Sequence, residues 1–440
     1  MAVVAYALGL LVLVIGLLVS IGLHELGHMI PAKKFGVAVP RYMIGFGPTL
    51  FSFRRGETEY GLKAIPLGGY VRMVGMLPPA SEVGAEGQEP RGAIGQMIAE
   101  ARQASAEEIP AGQEHRAFYR LSTPRKILVM AGGTLTNLLV GALMIGGVLV
   151  AYGEGQVTTS VGQVGRCILP ADAEGERECT AADPASPADA AGVQVGDVLV
   201  SFDGRPIDDW DDFTTAVRAS EGSGVALVVV RDGEELTLTV DPVRVERPVW
   251  NDDGSAKQVD GELVTELVRY VGISPSAEIR RVGFAQAVPR VGEVVWENVK
   301  AIVRLPVTVV EIGRAMVGDG EREAGVMGLV GVAQTAGQVT SVQDPGITVA
   351  DRVATMVLLI GSLNIALFVF NLVPLLPLDG GHVAGALWEG AKRQWARLRG
   401  LPRPRPADMA KMMPVAYGVF VVLIALGLFL VVADVVVPVI

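Results

Sequence analysis

The chain has 440 residues, 50% of them hydrophobic and 19% charged, with a formal net charge of -10. So apolar a composition excludes a wholly soluble protein, and so many charges exclude a wholly buried one; membrane helices joined to soluble parts are implied. The acidic balance, with no basic patch interleaved with aromatics, excludes wholesale nucleic-acid binding.

The first predicted transmembrane helix covers 1–31. Val3 to Leu23 carries no Asp, Glu, Lys or Arg, and Pro31 closes the stretch, which exceeds the ~20 residues a bilayer needs. It lacks the basic start of a secretory signal and is too long for one. Within it lies His24-Glu25-Leu26-Gly27-His28. On a helix, residues at i and i+4 share a face, so both imidazoles can hold one zinc ion. Glu25 beside them is the candidate catalytic base for an attacking water. Ionisable side chains at the end of an apolar span are costly, which makes function the default reading. His24 lies about 31 Å from Val3 on a helix rising roughly 1.5 Å per residue, close to the cytoplasmic face.

Residues 32–126 are predicted as a cytoplasmic loop, because Lys33, Lys34, Arg41, Arg54, Arg55, Lys63, Arg72 and further basic residues gather there. Within 42–74, apolar and polar residues alternate between glycines, which predicts short strands and turns. A β element so near a membrane must satisfy its own backbone or line a cavity. Residues 77–114 are rich in Ala, Gly, Glu, Gln and Pro and are predicted as a flexible or weakly helical insert.

A second transmembrane helix is expected at 127–152. The long segment after it, and both termini, then lie outside. Its Cys167 and Cys179 are the only two cysteines; they flank a polar stretch without a histidine and predict a disulfide in an oxidising compartment. Residues 157–245 read as a soluble α+β unit: turn, strand and turn from Ser186 to Gly204, a helix from Asp211 to Ala219, and a hairpin across Asp232-Gly233. Residues 246–350 are predicted as an irregular connector with some strand content, followed by an amphipathic helix at 301–317, which carries Arg304, Pro306, Glu311 and Arg314.

The third transmembrane helix is expected over 352–382, a basic cytoplasmic loop over 383–413, and the fourth helix over 414–438. The third runs into Asn371-Leu372-Val373-Pro374-Leu375-Leu376-Pro377-Leu378-Asp379-Gly380-Gly381-His382, again polar groups at the end of an apolar helix. The topology puts this end on the same side as His24 and His28. A catalytic zinc takes three protein ligands and keeps one open position, and His24, His28 and Asp379 supply three. Asn371 either binds the substrate backbone or a developing oxyanion, or bonds only between helices. His382 is expected beside the ligands rather than among them.

These motifs resemble the site-2 protease family of intramembrane zinc metalloproteases, in its bacterial form with a PDZ insert. HELGH matches the family's HExxH, and Asn371…Pro374…Leu378-Asp379-Gly380 its NxxP…LDG. Phe46-Gly47-Pro48 and the run from Ile65 to Val71 match its membrane-associated β-hairpin. Ala131 to Asn137 resembles its AGPxxN run, with Gly133 where the family often has Pro. Ser186-Pro187-Ala188, Gly192, Gly196-Asp197 and Gly204 resemble a PDZ domain. The resemblance implies a polytopic α-helical membrane protein of about four transmembrane helices, with a membrane-associated β-hairpin region and one extracytoplasmic PDZ (α+β) domain. It implies a zinc endopeptidase of the bacterial plasma membrane whose substrates are single-span membrane proteins, typically trimmed anti-sigma factors. An unwound substrate helix needs new hydrogen-bond partners, and a strand edge carrying Tyr60, Leu62, Ala64, Pro66, Gly68, Gly69 and Tyr70 is the candidate to supply them. The PDZ unit either takes a C-terminal peptide or only screens out substrates with bulky outer domains. Two rival readings are a catalytically silent PDZ scaffold and a metal transporter that uses the same ligands; zinc content and metal flux separate them.

Overall fold

The stretch Val3 to Leu23, free of charges, opens the longest apolar element, α1 (Ala2–Lys34), with Lys33 and Lys34 complementing its C-terminal dipole. The computed structural model describes residues 2–87, 89–169, 179–180, 183–249, 258–259, 262–318, 322, 325–342 and 346–438. It divides into two units, Met1–Val148 with Phe284–Ile440, and Leu149–Gly283. Four helices are long and apolar enough to cross a membrane: Ala2–Lys34, Thr123–Ala151, Val349–Asn371 and Met409–Val436.

After α1 come strands β1 (Arg41–Arg55) and β2 (Thr58–Arg72). They form a hairpin, as the resemblance implied, but from two long strands where short ones were expected, and it is bulged and curls on itself. Glu59–Leu62 pairs with Phe51–Arg54 on one side and with Arg41–Ile44 on the other, and Arg41–Ile44 then pairs with Gly69–Arg72. Glycines allow the curl: Gly45, Gly47 and Gly68 all take positive φ. The insert at 77–114 is more ordered than its composition suggested. It forms α2 (Ala80–Val83) and α3 (Gly92–Glu107), built from good helix formers. Arg72 to Glu108 at 2.7 Å and Arg102 to Asp408 at 2.5 Å tie it down. Next, α4 (Thr123–Ala151) crosses α1 at two glycines; a Cβ on Gly27 would lie 2.5 Å from the Gly132 carbonyl oxygen. Small residues permit such close backbone approach in membrane helices.

The second unit contains β3 (Glu154–Val164), α5 (Pro187–Ala190), β4 (Val198–Phe202), β5 (Arg205–Pro206), α6 (Trp210–Ala219), β6 (Val225–Arg231), β7 (Glu234–Val240), β8 (Val243–Pro248), β9 (Gln258–Val259), β10 (Glu262–Leu263), β11 (Thr265–Tyr270) and β12 (Ile273–Arg280). The main sheet runs β12-β3-β4-β6-β7, with β5 beside β4. Its inward residues Val161, Leu199, Phe202, Leu227 and Val229 pack on Phe213 and Val217 of α6. An Asp209–Asp212 capping box starts α6. The buried Asp197 accepts from Nε and Nη2 of Arg231, each at 2.7 Å. Cys167 and Cys179 are joined by a disulfide. The connector expected from 246 onward is instead part of this unit: β11 pairs with β8, and β12 returns to β3. Long-range pairing decides this, and the irregular local pattern of 246–280 does not announce it.

The chain then forms α7 (Phe284–Met316), α8 (Leu329–Ser341), α9 (Val349–Asn371), α10 (Asp379–Leu398) and α11 (Met413–Val436). The amphipathic helix expected at 301–317 is the latter half of α7, and α8 was not foreseen. It packs on α1 through Thr340 Oγ1, which donates to the Ala5 carbonyl at 2.8 Å. Leu13 of α1, Val332 and Ala336 of α8, and Met356 and Ile360 of α9 form one buried cluster. Asp434 of α11 accepts from Arg322 at 2.8 Å and from the Gly331 amide at 2.7 Å. The expected third helix through 382 is broken: α9 stops at Asn371, a turn containing Pro374 and Pro377 follows, and Asp379 opens a new helix. A proline lacks the N–H and its ring clashes with the turn before it; α1 and α7 run through well-separated prolines, but two only three residues apart, Pro374 and Pro377, favour a break here. The stretch 383–413 is therefore largely helical rather than a loop.

Candidate metal centre

The spacing of His24 and His28 puts their rings one helical turn apart, edge to face with centroids 4.8 Å apart. Their Nε2 atoms lie 3.2 Å from each other. The break after α9 brings Asp379 to them: its Oδ2 is 3.4 Å from His24 Nε2 and 3.3 Å from His28 Nε2. These three donor atoms form a cluster within 4.8 Å. Zinc–nitrogen and zinc–oxygen bonds of about 2.0–2.2 Å in tetrahedral array put ligand atoms roughly 3.3–3.5 Å apart. The observed triangle fits. The donor set, two imidazoles and one carboxylate, is also one that zinc takes.

Neighbouring helices fix the ligands. His28 Nδ1 donates to the Val129 carbonyl of α4 at 2.8 Å, which leaves the Nε2 lone pair for a metal. Thr134 Oγ1, one turn and a half further along α4, donates to Asp379 Oδ2 at 3.0 Å. Val129 and Thr134 were not foreseen; Thr134 stands in the Ala131–Asn137 run, and its role depends on where α4 crosses α1. Gly133 has a specific reason to be glycine. A Cβ there would overlap His28 Nε2 and lie 2.6 Å from Cδ2. Gly133→Ala is expected to push the imidazole off the ligand position and weaken zinc binding roughly ten- to a hundred-fold, as read from zinc per chain after dialysis against a buffered chelator.

Glu25 is buried at 8% exposure between the two histidines in sequence. Strand β2 approaches it at Gly69, where a Cβ would lie 3.0 Å from Glu25 Cγ and 2.9 Å from the Met43 carbonyl oxygen. Tyr42, whose hydroxyl donates to the Gly22 carbonyl at 2.6 Å, has its pKa pushed up to about 12 by burial and then by the Glu25 carboxylate. The phenol therefore stays a neutral donor beside the site.

The sequence-predicted strand contacts separate into two groups. Tyr60 and Leu62 lie in the inner segment, paired on both sides; they offer no open edge. Ala64, Pro66 and Gly68 lie further along β2, where Lys63 pairs with Thr49 and Ile65 with Phe46. Gly69 and Tyr70 lie in Gly69–Arg72, whose one β partner among the described residues is Arg41–Ile44. Asn371 ends α9, partly buried, and His382 lies in the first turn of α10, outside the three-residue cluster. The fully buried asparagine of α9 is Asn364, which donates to Ser20 Oγ at 2.9 Å and joins α9 to α1 just before the histidines.

Comparison with known proteins gives one family match, peptidase family M50, over residues 12–401. The chain is 32% identical to zinc metalloprotease Rip1 of Mycobacterium tuberculosis over 99% of its own length and 98% of that protein. It is 31% identical to zinc metalloprotease Rip1 of Mycolicibacterium smegmatis, covering 98% of each. Metalloprotease MmpA of Caulobacter vibrioides is 28% identical over 88% of this chain and 89% of its own.

Proposed function

We propose, from the premise that the chain belongs to peptidase family M50, the site-2 proteases, a division of labour among its residues and a class of substrate. The protein is an intramembrane zinc metalloprotease. The observation that carries the reading is the His24–His28–Asp379 triangle with Glu25 beside it, on α1 and at the start of α10. His24, His28 and Asp379 hold Zn2+. A bound ion would supply a Lewis acid for the scissile carbonyl and a lowered pKa for water, so that hydroxide is available near neutral pH. Glu25 takes the proton from that water and returns it to the leaving amine, so one peptide bond and one water become a carboxylate and an amine. Asn371 hydrogen-bonds the substrate backbone at the scissile segment.

The substrates are single-span membrane proteins, anti-sigma factors among them, cut within or near the membrane close to the cytoplasm. A helical substrate hides its amides in its own hydrogen bonds. Once unwound, it replaces them by adding as a strand to Gly69–Arg72, the edge that lies next to Glu25. The unit Leu149–Gly283 acts as an extracytoplasmic PDZ domain, consistent with its strand-and-helix order, and with the termini outside it leaves the basic segments on the cytoplasmic side.

The test uses the full-length protein in liposomes with a single-span substrate. A zinc chelator is expected to stop cleavage and added Zn2+ to restore it. Cleavage that continues in the chelator, or zinc flux without cleavage, would sink the reading; the second result would favour a transporter.

A further inference from the structure

Away from the metal centre, the membrane-helix unit holds a cavity of about 480 Å3 whose lining includes Glu82, Tyr119, Arg120, Arg393, Arg403 and Arg405. Cavities of roughly this size hold small ligands. Four guanidiniums share it with one carboxylate. Two already have partners: Arg120 lies 2.8 Å from Glu82, and Arg393 pairs with the buried Glu389 one turn back on α10. Glu389 is itself committed, since it also accepts from Lys126 at 2.9 Å and from the Ala407 amide at 3.3 Å. Arg403 and Arg405 form no ion pair among the described residues, and Arg393 Nε is a buried donor without an acceptor.

The sequence explains why the two unpaired guanidiniums stand together. They alternate with Pro402, Pro404 and Pro406. Each proline fixes its own φ and turns the residue before it away from helix. Both arginines line the same cavity. The far end of the segment is anchored at Asp408, which accepts from Arg102 at 2.5 Å, and the Arg405 guanidinium sits over Gly84, where any Cβ would overlap it. This is a stiff strip that presents two positive charges to a cavity already lined by a third arginine with an unused donor.

We propose that this cavity binds the phosphate of an anionic phospholipid headgroup, with Arg403 and Arg405 as its main contacts and Arg393 behind them. Guanidinium forks match phosphate oxygens and give charge-assisted hydrogen bonds. The location favours lipid as the source. Arg120 stands three residues before α4, a helix long and apolar enough to span, and basic pockets at the cytoplasmic ends of such helices meet headgroups. Tyr119, buried and with the Arg120 guanidinium 5.4 Å from its ring, lines the cavity as well. A soluble phosphate shares the chemistry, so the two sources need separate arms.

The full-length protein is placed in phosphatidylcholine nanodiscs doped with phosphatidylglycerol, and separately in pure phosphatidylcholine nanodiscs titrated with inorganic pyrophosphate. Native mass spectrometry counts retained phosphatidylglycerol. The expected result is a specifically retained phosphatidylglycerol whose retention falls about tenfold or more in Arg403→Gln/Arg405→Gln, while Glu82→Gln, which removes the cavity's carboxylate, retains it more tightly. Both arginines are exposed, so the substitutions leave the fold in place. Arginine-dependent pyrophosphate binding without lipid retention would overturn the lipid source. Equal lipid retention and equal pyrophosphate affinity in wild type and the double variant would overturn the site itself.

Discussion

Glu25→Gln is expected to cut the rate of peptide-bond hydrolysis roughly 10^2- to 10^4-fold while zinc stays bound. The two parts of that result follow from position. Glu25 is buried between His24 and His28 in sequence but outside the triangle their Nε2 atoms make with Asp379. Glutamine keeps the size, the burial and the packing against Gly69, and loses the ability to accept a proton. The fold should not suffer, because an amide is less costly to bury than a carboxylate. Cleavage of a single-span substrate in liposomes and zinc content of the same preparation measure the two halves. Cleavage at the wild-type rate would remove Glu25 from the mechanism. Loss of zinc along with activity would make it a ligand instead of a base.

The chemistry of this centre is legible in the sequence because it rests on local rules. HELGH at the end of a stretch without charges places two imidazoles on one helix face, and a lone carboxylate after Pro374 and Pro377 is conspicuous in so apolar a setting. What fixes these groups was not legible. The Val129 carbonyl that orients His28 belongs to a backbone and carries no sequence signal. Thr134 and Gly133 acquire their roles only where α4 crosses α1, a crossing set by Gly27 and Gly132 meeting in space. The strand region shows the same division. Alternation between glycines predicts β structure, but it does not say that β2 curls around β1, so Tyr60 and Leu62 read as edge residues when they are internal. Register belongs to pairing at a distance, and a period of two cannot report it. The insert at 77–114 and the strands beyond 246 fail for a related reason: composition describes a segment's solubility, while their order comes from partners such as Asp408 and β3 that lie far away in the chain.

Asp379→Asn is expected to remove zinc from the protein, with affinity falling by more than the roughly 10- to 100-fold that loss of a residue behind a ligand costs, and proteolysis is expected to vanish with it. The distances decide between this and a simpler account in which Asp379 only hydrogen-bonds two histidines. Its Oδ2 lies 3.3 and 3.4 Å from the two Nε2 atoms, long for N–H···O bonds, whose lengths centre near ~2.9–3.0 Å, and the two nitrogens approach each other to 3.2 Å. The His28 Nε2 lone pair and a carboxylate oxygen facing one point repel unless a proton or a cation lies between them. His28 Nδ1 is already committed as donor to Val129 at 2.8 Å, so neutral His28 has only a lone pair to offer at Nε2. Thr134→Val supplies the graded comparison, because it removes the 3.0 Å bond to Oδ2 and leaves every ligand in place. Zinc affinity measured by competition with a chromogenic chelator should fall in the order wild type, Thr134→Val, Asp379→Asn, with Glu25→Gln close to wild type. An Asp379→Asn protein that holds zinc as tightly as wild type would place the third ligand elsewhere and return Asp379 to the role of a hydrogen-bond acceptor.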